Sequence, residues 1–416
     1  MSKRRKSLWN LRPIIFILVT AILLVSGGYL SASEPAETRD PVQWPFVWNS
    51  IWNMPLGSNA NYVPANISSP TGHGFTVDED IIIMRPNAPQ VDIVAHDAAW
   101  DDGVTRCGSI VSPQTTIIAN APIPFNFSTD PGYQGIKPNH SAAILMSDGE
   151  TIEQTQPFHR CGAGGPAVSQ FHPPSDNIKT GDGIRGAHGG SGMSSLGGTI
   201  RMGEMVRGGE IRHALKLNLF AAKNLSYNAT DSTPGYRWPA IRADGYAGNQ
   251  NSNCRYQGSV SALEMGALLA LKPDFNINAL TTEPAKIIAE AFMNYGGYVV
   301  DDTCWDVYAL ETEWGPDGRV IDQFEFEFGF PMESKLKVTC TSTNLECFWV
   351  KDMHTIFTSL HVVNNNSDSN IGGPGERRVA CAPPFEDGTG SYPAGSVCDG
   401  AGAVNLSQFA FLPFVK

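Results

Sequence analysis

The sequence contains three groups of residues whose types could carry out chemistry, and the first group is acidic. Asp301 and Asp302 directly follow the apolar run 298–300, so we expect them at the end of a buried strand. Partial burial raises the pKa of a carboxyl group, which suits a general acid or base. A glycosidase needs a second carboxylate near the first. It could come from Asp182, Asp244 or Glu153.

The acidic pair, Asp301 and Asp302, has two further interpretations. Carboxylate oxygens are ligands that Ca²⁺ prefers, and a structural Ca²⁺ is therefore an alternative. The Asp-x-Asp-x-Asp-Gly spacing of a calcium loop is missing, however, and the sequence predicts neither a cofactor nor a set of metal ligands. The pair could also be an ordinary charged strand end or the partner of a helix cap.

The second group lies in residues 181–209, the Gly-rich segment, where 11 of the 29 residues are glycine. Interior glycines disfavour helix and strand, so we predict a loop whose backbone approaches a ligand. His188 could be its general acid or base, because the reference pKa of histidine lies near neutrality. In a β-elimination, His188 or Tyr298 would be the base, and Arg185 or Arg212 would neutralise a uronate. Alternatively, the loop packs against the chain and His188 is structural.

The third group combines aromatic and charged side chains. Arg237 and Trp238 are followed closely by Arg242, Asp244 and Tyr246. An exposed aromatic ring offers a flat apolar face to a sugar ring, while arginine and aspartate can bind hydroxyl groups. The sequence therefore predicts a carbohydrate-binding surface here. In the alternative interpretation, Trp238 packs in the core and Arg237 folds over it.

These groups must be positioned by β-strands, because strand patterns dominate the sequence. Runs 81–84 and 91–94 are short and rich in β-branched residues. Runs 142–147 and 150–155 flank Asp148-Gly149, which predicts a hairpin with a type I′ turn. Run 211–219 alternates apolar and polar residues, as a half-buried strand does.

Two short helices complete the predicted elements. One is capped by Thr282 and ends at Gly296-Gly297, and the other covers residues 261–271. Together the patterns predict a mainly β fold, with a single large domain of the β-sandwich or jelly-roll type. A second domain that begins near Glu313 is the alternative.

The N-terminal segment has the pattern of an export signal. Basic residues 3–6 precede an apolar run at 13–25, and small residues follow. We therefore expect residues 1–33 to be a secretory signal peptide and residues 34–416 to be the secreted domain. A retained membrane anchor is the alternative. Cleavage would change the net charge from −12 to −17, because the segment holds five basic residues and no acidic ones. Such an acidic chain is not expected to bind nucleic acid or, once cleaved, a membrane.

The eight cysteines predict disulfides. Their number is even, and an exported protein meets an oxidising environment. The short spacings make Cys340–Cys347 and Cys381–Cys398 two plausible local pairs. Zinc fits less well, since no Cys-x-x-Cys or His-x-x-x-His pair is present.

Several of these blocks resemble a set of uncharacterised secreted bacterial proteins. The resemblance spans roughly residues 140–310. It rests on the glycine-rich stretch GAHGGSG, the strand IRHALK, the turn RWPA and the sequence YGGYVVDD. It implies no activity and supplies no catalytic residues. It does imply that the blocks act together, as one site or one core.

Taken together, the sequence predicts a secreted carbohydrate-active enzyme that cleaves an extracellular polysaccharide. Hydrolysis is favoured over elimination, because the acidic chain suits a neutral glycan better than a uronate polymer. Two alternatives stay open at this point. The protein could be a non-catalytic carbohydrate-binding surface protein that uses Trp238 and Tyr246, or a structural subunit of an extracellular layer or filament.

Overall fold

The computed structural model describes residues 37–71, 74–100, 106, 116–129, 138–334, 341 and 343–399. The predicted signal peptide, residues 1–33, lies outside this part of the chain. The chain divides into two compact units, Met1–Glu37 and Thr38–Lys416, and all described residues except Glu37 belong to the second. Among the described residues, we find no helix with the length and apolar character needed to cross a membrane.

The fold is mainly β, as predicted. The described residues form fifteen strands and four α-helices. The strands are β1 (Tyr62–Pro64), β2 (Thr76–Ile83), β3 (Gln90–Ala95), β4 (Ile117–Pro122), β5 (Ala142–Leu145), β6 (Thr151–Thr155), β7 (Ala167–Ser169), β8 (Asp176–Asn177), β9 (Arg185–His188), β10 (Leu215–Leu219), β11 (Leu268–Ala270), β12 (Gly297–Asp302), β13 (Tyr308–Gly315), β14 (Gly318–Arg319) and β15 (His361–Val363). The helices are α1 (Ala221–Asn224), α2 (Glu283–Asn294), α3 (Val320–Phe328) and α4 (Leu345–Thr358).

One large mixed sheet contains eleven of these strands. Ten follow the order β1-β15-β11-β12-β10-β13-β2-β5-β6-β8, and β14 pairs with β13 beside this path. Three neighbouring pairs are parallel, namely β10 with β12, β13 with β2, and β2 with β5. Glu313, the position considered for a domain boundary, lies inside β13. This strand pairs with β10 on one side and β2 on the other.

A second sheet of three strands, β4-β3-β7, packs on one face of the large sheet. Successive residues of a strand point to opposite faces, and β2 shows how the layers arise. Ile81 and Ile83 join Ile93 of β3 in the smaller apolar cluster. Ile82, between them, points into the main core with Phe292 of α2. The large sheet therefore separates a small sheet from a layer that contains helices.

The predicted hairpin is confirmed, but its turn type is wrong. Strands β5 and β6 are antiparallel, with Ala142 opposite Thr155. The Gly149 N–H donates to the Met146 carbonyl at 2.9 Å, and only Gly149 has a positive φ, of 75°. Asp148 stays at negative φ, which excludes a type I′ turn. Its carboxylate instead accepts the N–H groups of the residues that follow.

One predicted helix is confirmed and the other is wrong. Helix α2 begins after Thr282, has a proline in its first turn, and precedes Gly296, whose φ is 80°. Residues 261–271 contain no helix. Gly266 takes a φ of 84°, and β11 then pairs with β12 and β15 in the large sheet. A short buried apolar run does not distinguish helix from strand, and here strand pairing decides. Helices α1, α3 and α4 were not predicted.

The strand predicted over residues 211–219 begins later and is more deeply buried than its pattern suggests. Strand β10 covers Leu215–Leu219, and all five residues are buried. Its alternating pattern predicts one face in water. The polar residues Lys216 and Asn218 instead point towards other buried polar groups, because neighbouring strands and the Gly-rich segment cover them.

Disulfides link the described cysteines. The pair Cys381–Cys398 is confirmed, and Cys254 pairs with Cys304. Cys161 and Cys347 are disulfide-bonded as well, and no described cysteine is free. The predicted pair Cys340–Cys347 includes Cys340, which lies outside the described residues.

Candidate functional site

A cavity of about 1300 Å³ opens at one edge of the large sheet. The carboxyl ends of the parallel strands β10 and β12 reach this edge. The amino ends of β2 and β13 reach it too, because β13 runs antiparallel to β10. Residues 242–246 and the Gly-rich segment complete the walls. The polar and charged lining residues are Thr76, Asp78, Asn139, Gln156, Gln170, Asn218, Arg242, Asp244, Tyr246, Asp301, Asp302 and Thr303.

Asp301 lies at the centre of the acidic groups. Its Oδ1 accepts the N–H of Gly190 at 3.1 Å and that of Asp302 at 2.9 Å. Its Oδ2 accepts the Asn139 amide at 2.9 Å. Burial raises the pKa of Asp301 well above its usual value, and the nearby Asp244 charge adds to the shift. The hydrogen bonds oppose this shift only in part, so the carboxyl group retains its proton more readily than an exposed aspartate does.

Asp78 shares a hydrogen-bond donor with Asp301. The Asn139 amide nitrogen lies 2.9 Å from Oδ2 of Asp78 and 2.9 Å from Oδ2 of Asp301. Burial raises the pKa of Asp78 well above its usual value, and the charges of Glu311 and Asp80 raise it further. Two carboxyl groups with raised pKa values thus accept hydrogen bonds from the same side-chain amide. This arrangement favours the presence of at least one proton on the pair.

Asp244 has two partners that stabilise its ionised form. Burial raises its pKa, and the hydrogen bond from Tyr256 and the positive charge of Arg242 oppose part of that increase. The Tyr256 hydroxyl donates to Oδ2 of Asp244 at 2.6 Å. The pKa of Asp244 remains raised, but a tyrosine hydroxyl and an arginine stabilise its anion, beside a pair of carboxyl groups whose surroundings favour a shared proton.

Asp302 connects the cavity to the elements around it. Its Oδ1 accepts the N–H of Ala221 at 2.8 Å, at the start of α1, and that of Cys304 at 2.9 Å. The Tyr246 hydroxyl donates to its Oδ2 at 3.1 Å. Burial raises the pKa of Asp302 to about 6 despite these donors. Asp302 therefore holds the loop next to the Cys254–Cys304 disulfide in place beside the cavity.

Two consecutive glycines allow the carboxylates to come this close to the backbone. A Cβ atom added to Gly190 would lie 2.5 Å from Oδ2 of Asp244, and one added to Gly189 would lie even closer to Asp301. Gly189 also has a positive φ, of 25°. The predicted close approach at the Gly-rich segment is therefore an approach to acidic side chains of the same chain, which themselves line the cavity.

Aromatic rings form much of the remaining wall. Trp100, Phe171, Tyr246 and Trp305 all line the cavity, and Trp100 is 41% exposed. The Arg242 guanidinium lies 4.7 Å from the centre of the Phe171 ring and donates to the Gly189 carbonyl at 3.1 Å. The walls thus combine flat apolar faces with carboxyl groups, a combination suited to the two faces of a sugar.

Four predicted site residues line this cavity: Asp244, Tyr246, Asp301 and Asp302. The structure does not bring Asp182 to them, since its side chain is exposed and accepts the N–H of Ile184. Arg185 is exposed as well, outside the cavity lining.

The other predicted residues lie in the core or on other surfaces. Arg212 is exposed, with its guanidinium 4.7 Å from the centre of the Trp44 ring. Arg237 donates to the Ala262 carbonyl at 3.0 Å. Trp238 packs against the main core, as its alternative interpretation predicts, and Tyr298 is fully buried. These residues do not line the cavity.

His188 lies beneath the cavity, in a buried charge cluster formed by Asp80, His188, Lys216 and Glu311. The side chains of all four are at most 1% exposed. Lys216 Nζ lies 2.7 Å from Oδ2 of Asp80 and donates to the Ser194 and Ser195 carbonyls at 3.1 Å. His188 is thus shielded from a substrate in the cavity.

Three residues of the carboxyl network at the site were not predicted, namely Asp78, Asn139 and Tyr256. The aromatic lining residues Phe171 and Trp305 were not predicted either. Asp78 belongs to β2, in which Asp78 and Asp80 share one face. The available signal is that these acidic residues directly precede the apolar run 81–83, although acidic residues in a strand more often face water. Asn139 and Tyr256 occur in stretches without a motif, and only their contacts reveal them.

Three of the blocks that carry the resemblance contact one another or their direct neighbours beside the cavity, namely the glycine-rich stretch, the RWPA turn and the sequence YGGYVVDD. Gly190 donates to Asp301, and Ile241, next to the RWPA turn, donates its N–H to the Ser191 carbonyl at 3.0 Å. Comparison with known proteins adds no family to this description. No protein-family model, no curated protein and no solved structure matches the chain.

Proposed function

We propose that the protein is a secreted carbohydrate-active enzyme that hydrolyses an extracellular polysaccharide. The observation that carries the proposal is the cavity of about 1300 Å³, in which four aspartates lie among aromatic rings. Glycoside hydrolysis needs one carboxyl group that donates a proton and one carboxylate that acts as base or nucleophile. The aromatic faces of Trp100, Phe171 and Trp305 would stack against sugar rings.

The environments of the carboxyl groups suggest their roles. The pair Asp78 and Asp301, joined through Asn139, would supply the proton to the glycosidic oxygen as the C–O bond breaks. Asp244, whose anion is stabilised by Tyr256 and Arg242, would remove a proton from the attacking water or attack the sugar carbon itself. Both routes add one water molecule across the bond.

Hydrolysis is favoured over β-elimination by the position of the candidate bases. An elimination would use His188 or Tyr298, and both are fully buried outside the cavity lining. Arg185 and Arg212, which would bind a uronate, are not among the lining residues either. Arg242 is the arginine among the described lining residues, and it already contacts Phe171 and Gly189.

Secretion is part of the proposal and rests on two features. The N-terminal segment has the charge and hydropathy pattern of a signal peptide. The disulfides Cys254–Cys304 and Cys381–Cys398 suit an oxidising compartment. N-terminal sequencing of protein recovered from the culture medium tests this part of the proposal. A new N-terminus near residue 34 supports it, and retention of the full chain in cells contradicts it.

The activity is tested with a panel of plant, algal and microbial polysaccharides. We expect new reducing ends from at least one neutral glycan, without the ultraviolet absorbance of unsaturated uronates. The variant Asp244→Asn, which keeps the size of the side chain, serves as the blank. Product stereochemistry, followed by NMR, then distinguishes attack by water from attack by Asp244.

Three outcomes contradict hydrolysis in different ways. Ultraviolet absorbance would identify an elimination. Retention on one polysaccharide without cleavage would identify a carbohydrate-binding protein, with the cavity aromatics as its platform. Neither cleavage nor retention would favour the structural subunit of an extracellular layer.

A further inference from the structure

The buried charge cluster has no role in the proposed hydrolysis, and its chemistry is unusual for a protein core. It brings together residues from three strands of the large sheet and from the Gly-rich segment: Asp80 of β2, Lys216 of β10, Glu311 of β13 and His188 of β9. Ionised groups are rarely buried unless they are fully paired or bind a metal.

His188 is the clearest sign of a missing partner. Its side chain is fully buried, and among the described residues neither ring nitrogen has a hydrogen-bond partner. Oδ1 of Asp80 also has none. Nε2 of His188 points at this oxygen from 3.7 Å and at Oε2 of Glu311 from 3.4 Å. These separations exceed hydrogen-bond distances, so the three groups face a common point without binding one another.

The separations fit a metal ion at that point. Ligand atoms about 2.1 Å from a tetrahedral ion lie about 3.4 Å from each other. The ligand atoms of Asp80, His188 and Glu311 all lie within 4.8 Å of one another. One imidazole and two carboxylates form a ligand set typical of zinc and similar ions, whereas Ca²⁺ and Mg²⁺ prefer oxygen alone.

The balance of charge supports the same conclusion. Asp80 and Glu311 carry two formal negative charges, and Lys216 supplies one positive charge. The remaining negative charge is costly in a buried region unless a proton or a cation compensates for it. A divalent ion would supply that compensation.

We propose that Asp80, His188 and Glu311 bind one divalent transition-metal ion beneath the cavity floor. Asn218 is the fourth residue in reach. It lies on the same strand as Lys216, β10, and its buried Oδ1, like both carboxylate oxygens of Glu311, has no hydrogen-bond partner among the described residues. Enclosure by protein groups is typical of a structural site. The ion would fix β2, β10 and β13 relative to the Gly-rich segment, and hence the positions of Asp78 and Gly190 in the cavity.

The first test is the metal content of the full chain, purified without a histidine tag or chelator. Inductively coupled plasma mass spectrometry should find about one equivalent of a divalent transition metal per chain. The isosteric variant Glu311→Gln and the variant His188→Ala should each retain less than about a tenth of it. The matched control is His213→Ala. His213 is also buried, but its Nε2 contacts Glu204 at 3.2 Å, and its loss should leave the metal content unchanged.

A second test avoids the risk that a variant fails to fold. Wild-type protein stripped with a chelator should show a lower melting temperature, and added Zn²⁺ should restore it, because an ion that binds only the folded state stabilises that state. Ca²⁺ should not restore it. The proposal is overturned if the purified protein lacks stoichiometric metal and Zn²⁺ leaves the melting temperature unchanged. The cluster would then be an ion-pair network that holds extra protons. Metal content and melting temperature do not depend on finding a polysaccharide substrate.

Discussion

Asp78 and Asp80 occupy the same face of one strand, only two residues apart, yet they belong to regions with different chemistry. Asp78 lines the cavity and shares the Asn139 amide with Asp301. Asp80 is fully enclosed and binds Lys216 and Thr199. The strand supplies an identical side chain to both regions. The Gly-rich segment covers Asp80 but not Asp78, because its contact with the cavity wall lies at Gly189-Gly190. This difference in cover explains why only Asp78 lines the cavity.

The difference between Asp78 and Asp80 shows that access to the cavity determines whether a carboxyl group can meet a ligand. In the cavity, hydrogen-bond donors and burial adjust four carboxyl groups that a ligand can still reach. In the buried charge cluster, the groups contact only the protein. Changes in the cavity should therefore affect turnover, and changes in the cluster should affect stability.

The largest expected effect is on turnover. The proposed hydrolysis predicts that the variant Asp301→Asn lowers kcat/KM about 10²- to 10⁴-fold, because an amide cannot donate a proton to the leaving group. Its melting temperature should stay near that of the wild type, since an asparagine oxygen still accepts the Gly190 N–H. The matched control is Asp182→Asn, at an exposed position outside the cavity. Equal loss in both variants would remove the distinction between cavity and surface carboxylates.

In the buried charge cluster, the expected effect is on folding. The variant Lys216→Met should lower the free energy of unfolding by about 3 kcal/mol or more, because Asp80 loses its buried partner. Chemical denaturation of the metal-depleted protein measures this change. Lys223→Met removes a similar ion pair to Asp306 at the surface and should cost less than about 1 kcal/mol. A small loss in Lys216→Met would mean that the cluster is not a tightly coupled ionic unit.

The pH dependence of stability tests the burial of Asp302. Its pKa is raised from 3.8 to about 6 in the folded protein. The folded state therefore binds the proton more tightly, and this stabilisation is complete below pH 3.8 and is lost as the pH rises through about 6. The full contribution is about 3 kcal/mol. Between pH 4 and 7, the free energy of unfolding, measured by chemical denaturation at each pH, should depend less on pH for Asp302→Asn than for the wild type. An equal pH dependence in both proteins would contradict the raised pKa.

The smallest expected effect concerns Gly190, where the Gly-rich segment meets the cavity. Gly190→Ala places a methyl group 2.5 Å from the present position of Asp244 Oδ2, so the carboxylate must move. We expect a decrease in kcat/KM of about tenfold, since catalysis is sensitive to small displacements. In the control Gly162→Ala, an added Cβ meets no atom within 4 Å. If both variants keep full activity, Asp244 does not need its observed position.

Part of the site could be predicted because local patterns contain it. The acidic pair follows a buried run, and Asp244 and Tyr246 follow an aromatic segment, so their types and spacing indicated a polar site. Asp182 and His188 were equally reasonable by residue type. Whether each reaches the cavity depends on the path of the Gly-rich segment, and a loop with so many glycines has no periodicity from which that path can be read.

The sequence by itself determined the mainly β class, the hairpin of β5 and β6, helix α2 and the acidic end of β12, because each depends on hydrophobic periodicity or on turn and cap residues close in the chain. The tertiary structure decided that β2 lies parallel to β13, which places Asp78 opposite Glu311. It also decided that residues 268–270 form a strand and that Lys216 faces Asp80. These outcomes depend on pairings between distant segments, and the free energy of such pairings does not appear in any local pattern.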